Sequence, residues 1–102
     1  MSNVYQDAWL LTRDVREYVE PIQRRDAELA RRLKRASDAV GSELDESLVA
    51  RGRQRKRRFK DALGHAREAS ACLRAADAAG YADVDATLLE QLRSLEGKLR
   101  AA

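Results

Sequence analysis

Few residues of this chain could do chemistry. His65 and Cys72 are the one histidine and the one cysteine among 102 residues. Seven positions apart on a helix, they share a side but lie about 10 Å apart along the axis at 1.5 Å per residue. That is too far for a thiolate–imidazole pair, and zinc asks for three or four such ligands. A metal bridged between subunits is the one arrangement that would use them. Asp61 precedes His65 by four residues, the spacing of an ordinary hydrogen bond on a helix surface. Di-iron bundles place a glutamate three residues before a histidine, where this chain has Ala62. Glu43 falls on the apolar stripe of the second helical segment, beside Asp45 and Glu46. Buried there, a carboxylate could take a raised pKa and act as acid or base. Paired with an arginine at an interface, it would be structural instead. No glycine-rich phosphate loop, nucleophile elbow or Ser/His/Asp grouping occurs. The expectation is a protein that is not an enzyme and has neither a metal nor a cofactor site.

The other unusual chemistry is cationic. Arg51, Arg53, Arg55, Lys56, Arg57, Arg58 and Lys60 put seven positive charges into ten positions with no acid among them. Such a run is commonly just a solvated face, and sixteen arginines against four lysines fit a coding bias. Its place argues partly against that. Arg51 falls where a second helix ends, and a cation suits a helix C-terminus. Arg53 to Lys60 fall in the opening turns of a third helix, where the macrodipole and mutual repulsion disfavour them. Cations gathered beside free helix-start amides suit phosphate. Arginine-rich segments grip backbones without reading sequence, so the signal names RNA or DNA as a class. Only Phe59 interleaves the cations and it lies on the core stripe, so no stacking platform for single strands is expected. Lys98 and Arg100 return to the same end. Another group, Arg31, Arg32, Lys34 and Arg35, is partly balanced by Asp26, Glu28 and Asp38.

Four helices must position these groups. The composition is 44% hydrophobic and 36% charged, with one proline and five glycines, which is too little punctuation for a many-stranded sandwich. Eighteen alanines and thirteen leucines against six valines and one isoleucine favour helix. Val4, Ala8, Leu11, Val15, Tyr18 and Ile22 form one stripe, and Leu29, Leu33, Ala36, Val40, Leu44 and Leu48 a second. Phe59, Ala62, Ala66, Ala69, Leu73 and Ala76 form a third, rich enough in alanine for close helix approach. Leu88, Leu92, Leu95 and Leu99 form a fourth. Pro21 is read as ending the first helix, Gly52 the second and Gly80 the third, with Asp83 or Asp85 capping the fourth. The expected helices run about 3–20, 22–50, 53–79 and 83–100. Short connections make them antiparallel neighbours, so the expectation is an all-α, up-down-up-down four-helix bundle in a single domain over 1–102.

Trp9 and Leu10 lie about 100° or more from the first stripe. An exposed tryptophan beside a leucine marks an association surface, unless the helix simply has a broad apolar face that Trp9 edges. No apolar run is long enough to cross a membrane. Met1-Ser2-Asn3-Val4 lacks the basic-then-apolar order of a signal peptide. The lone cysteine suits a reducing, cytoplasmic setting.

The order of residues also carries a resemblance. Leu29-Ala30-Arg31-Arg32-Leu33-Lys34-Arg35-Ala36 resembles a helix-two signature L-x-x-Q-x-x-R-A, and Ser42, Leu44 and Glu46 fit the stretch that follows it. Arg58-Phe59, Ala62, Gly64, Glu68 and Leu73 resemble the matching helix-three pattern, and Gly80-Tyr81 a G-Y-L turn before helix four. The family is that of bacterial four-helix-bundle proteins encoded in 23S rRNA intervening sequences, related to the accessory variability protein of diversity-generating retroelements. This chain departs from it at Arg32 for glutamine, Glu43 for asparagine, Ser47 for glycine and His65 for serine. The resemblance implies a homopentamer, bundles around a fivefold axis, with nucleic acid and a nucleic-acid enzyme as partners. It implies no catalytic residues. In such a ring the seven cations recur five times on one rim, a strong local field despite a net charge of +3 per chain. Trp9 and Leu10 then become a subunit contact. A protein-interaction scaffold or adaptor for a polymerase or ribonucleoprotein is the alternative expectation.

Overall fold

The computed structural model describes residues 3–102; Met1 and Ser2, which open the expected domain and the segment read for a leader, lie outside it. Four helices carry the chain: α1 (Val4–Arg25), α2 (Ala27–Ser47), α3 (Gly52–Ala78) and α4 (Ala86–Ala101), with no strand among the described residues. Each helix packs on the next and α1 also packs on α4, an arrangement compatible with a bundle. The stripes read from the sequence supply most of the core. Val4 and Tyr18 are only partly buried against it, and Leu48, expected to end the second stripe, stands in water because α2 stops at Ser47. Ile22, Leu33, Val40, Leu44, Leu73, Leu92 and Leu95 are almost wholly buried, and Ala62, Ala66, Ala69 and Ala76 of α3 are enclosed with them. The buried hydroxyls of Ser37 and Ser47 donate to the Lys34 and Leu44 carbonyls at 3.1 and 2.6 Å.

The first boundary is a correction. α1 does not stop at Pro21 but runs through it to Arg25. An interior proline costs about 3 kcal/mol, whereas fully burying a side chain such as Ile22 contributes about 1.5–3 kcal/mol. Ile22 is 0% exposed, and its carbonyl accepts the Asp26 N–H at 2.7 Å, so the extra turn is fastened beyond Pro21 by both packing and a hydrogen bond. The break comes at Asp26, which is extended (φ −153°, ψ 94°) and whose carboxylate accepts the Leu29 N–H at 3.0 Å. α2 accordingly starts at Ala27 rather than 22. It also ends at Ser47 rather than 50, because the last turn tightens: the Leu48 and Val49 N–H groups donate to Asp45 and Glu46, three residues back.

Gly52 does not end α2; it opens α3 after the connection 48–51, at φ +57°, a left-handed conformation that glycine alone takes without strain. Gly80 fills the expected role after α3. At φ +76° it lets the Tyr81 N–H reach the Ala76 carbonyl (2.9 Å) and its own N–H reach Asp77 (3.1 Å), a Schellman ending. Of the two aspartates offered as the last cap, Asp85 serves, accepting the Thr87 N–H at 2.9 Å.

Polar pairs tie neighbouring helices at several levels. Arg58 meets Glu43 and Glu46, and Arg32 meets Glu68, between α2 and α3. Arg67 faces Glu96 between α3 and α4. Lys98 meets Asp7, and the Tyr18 hydroxyl accepts the Asp85 N–H, between α4 and α1. Among the described residues no helix is long and apolar enough to cross a membrane.

Candidate functional site

α1, α2 and α4 each begin with a side chain that accepts a backbone N–H: Asn3, Asp26 and Asp85. α3 begins otherwise. Its cap residue Arg51 is extended (φ −134°, ψ 154°), offers no side-chain acceptor, and is followed by a first turn without an acid. The Gln54 N–H is taken up by the Arg51 carbonyl at 3.2 Å, and the rest of that turn, with the positive end of the helix dipole, sits among arginines.

Of the seven expected contact residues, six stand clear. Arg51, Arg53, Arg55, Lys56, Arg57 and Lys60 are exposed, and none forms an ion pair among the described residues. The Arg55 guanidinium lies 5.7 Å from the Phe59 ring centroid, resting on the edge of the core. Phe59 itself is buried, so no exposed aromatic ring lies within the cationic run. Arg58 is different. It approaches Glu46 to 2.6 Å and Glu43 to 3.4 Å, crossing from α3 to α2, and is half-buried there. It is a strut between two helices. Glu43 is thereby explained as the carboxylate that pairs with an arginine, within the chain.

The other cations are mostly engaged. Arg31, Arg32 and Lys34 of α2 meet Glu28, Glu68 and Asp38. Lys98, expected beside the hairpin, is bonded to Asp7 at 2.7 Å, while Arg100 is exposed. The connection 48–51 adds two apolar side chains in water, Leu48 at 61% and Val49 at 86% exposure.

Trp9 stands 59% exposed and so does not edge the core. Leu10 turns the other way, half-buried, into a groove between α1 and α4 whose floor also holds Leu11, Leu92 and Leu95. At Gln91 this groove continues into a hollow bordered by Asp14, Glu17 and Asp85. The sequence reading missed it, because a groove between helices depends on their mutual rotation. Its signal was Asp7 and Asp14, one heptad apart and off the α1 stripe.

His65 is half-buried on α3 and Cys72 is buried. Burial pushes the Cys72 thiol above its ordinary range; the Arg32 guanidinium pulls it down and the Glu68 carboxylate pushes it up. It stays a neutral thiol near pH 7, a poor nucleophile. Among the described residues, no group of three His, Cys, Asp or Glu is placed to hold a metal ion.

The chain matches no family model, and neither the curated proteins nor the solved structures contain a significant match to it.

Proposed function

We propose that this protein is a non-enzymatic homopentamer of up-down-up-down four-helix bundles that binds the backbone of RNA or DNA through its α2–α3 hairpin. The antiparallel course is supported by the cross-helix pairs. Along α3 the partners rise from Arg58 to Glu68, while along α2 they fall from Glu43 and Glu46 to Arg32. Between α1 and α4, Asp7 goes with Lys98 and Tyr18 with Asp85. The pentamer follows from the resemblance to the 23S rRNA intervening-sequence proteins, and a cytoplasmic setting fits the buried free thiol of Cys72.

The observation that carries the nucleic-acid reading is the set of six exposed cations, without ion-pair partners among the described residues, around an uncapped helix start. Six phosphate contacts give a slope of about −5 in log K against log salt, a loss of about a thousandfold between 50 and 200 mM. Arg58 is not among the six, since its guanidinium already serves two carboxylates. Fluorescence anisotropy with a labelled duplex across that salt range is the test, with Arg55→Glu/Arg57→Glu expected to abolish binding. Tight binding to a protein partner that barely responds to salt would support the adaptor reading instead.

A further inference from the structure

The two edges of α1 are unlike and complementary. On one, Trp9 projects into water, and Arg13 and Arg16 follow it one and two turns along the same side, both exposed. Arg13 leans on Asp14 at 3.1 Å, whereas Arg16 has no ion-pair partner among the described residues. On the other edge the leucine-floored groove comes first and the hollow with Asp14, Glu17 and Asp85 follows. In the direction α1 runs, one edge therefore reads apolar then basic, and the other apolar then acidic.

The spacings agree. Trp9 to Arg13 and Arg16 covers four and seven residues, about 6 and 10 Å of helix; Leu10 to Asp14 and Glu17 covers the same. Two copies set side by side with their α1 helices parallel bring indole to leucine and guanidinium to carboxylate in a single register. Reversing one copy sets its arginines beside leucine and its tryptophan beside acids. A two-fold pairing would instead match each edge with itself.

We infer that the α1–α4 groove is the seat of the Trp9 edge of a second copy of this chain. The contact is head-to-tail, so parallel copies continue around an axis along the helices until the ring closes. This rests on the reading that the chain self-associates, and it names the two surfaces that meet.

Light scattering with circular dichroism tests it. The wild type is expected at a multiple of 11.5 kDa, and Trp9→Glu and Leu10→Glu each at the mass of one chain with helicity retained. An equimolar mixture of the two should give a species of two chains, because each supplies the edge the other lacks. As a route that leaves the apolar positions untouched, Arg16→Glu and Glu17→Arg should each weaken assembly at least tenfold, and their combination should restore it. A multimeric wild type whose mass none of these variants changes, or a mixture that stays monomeric, overturns the assignment of surfaces while leaving self-association standing. A monomeric wild type overturns both.

Discussion

The two ends of α3 are finished by opposite means. At its C-terminus Gly80 turns the chain, Tyr81 and Gly80 return hydrogen bonds to the last turn, the Asp77 carboxylate accepts the Val84 N–H, and Asp85 caps the next helix. At its N-terminus the connection leaves Leu48 and Val49 in water, supplies no cap, and crowds arginines where a dipole favours acids. One end collects nearly every local device that fastens helices, and the other omits them. The omission is where folding stability has least hold on the choice of residues, and it coincides with the site proposed for phosphate.

Substitutions can break this contrast. The largest effect is expected from Arg51→Asp, which gives α3 the acceptor it lacks. Stability should rise by about 1 kcal/mol, read as a melting temperature about 4–8 °C higher, while affinity for a duplex falls about tenfold. An Arg51→Asp protein that binds unchanged would remove the cap site from the interface. At the other end Asp85→Ala should lower stability by about 1 kcal/mol and leave affinity alone. Gly52→Ala and Gly80→Ala each meet a left-handed backbone, so each should cost about 1 kcal/mol although nothing lies within 4 Å of the added carbon. Only the first should also disturb binding.

Smaller effects sharpen the picture. Arg58→Ala breaks a partly exposed ion pair and should cost about 0.5 kcal/mol without changing the salt slope; a slope reduced by about one would make Arg58 a phosphate contact after all. The smallest concerns Cys72. Its folded pKa is raised, so the stability it contributes is fully present below the unfolded thiol's pKa of about 8.5 and is lost as pH rises through the folded value. Chemical denaturation between pH 7 and 10 should show that decline in the wild type and a flatter profile in Cys72→Ala.

Much of the fold was legible because leucine and alanine repeat with a helical period, and the four stripes supplied most of the core from Ala8 to Leu99, Leu48 being the member left in water. The boundaries were less so. Pro21 signals a break by its own chemistry, but the burial of Ile22 in the last turn of α1, together with the Asp26 N–H held on its carbonyl, offsets that cost, and burial is a tertiary fact. Within the candidate site, the cations and their exposure could be read, yet Arg58 looked like its neighbours. What separates it is a pair of carboxylates fifteen and twelve residues back, on a helix whose rotation against α3 no spacing rule supplies.

Trp9 is the one tryptophan of the chain and it stands in water. Unfolding therefore changes its surroundings little, whereas covering it by another molecule changes them greatly. Indole emission should stay nearly constant in colour through denaturation of isolated chains and shift to the blue when they gather. Tyr5, Tyr18 and Tyr81, packed against the core, report the opposite event. Folding and association are thus written in two separable optical channels, with no label attached.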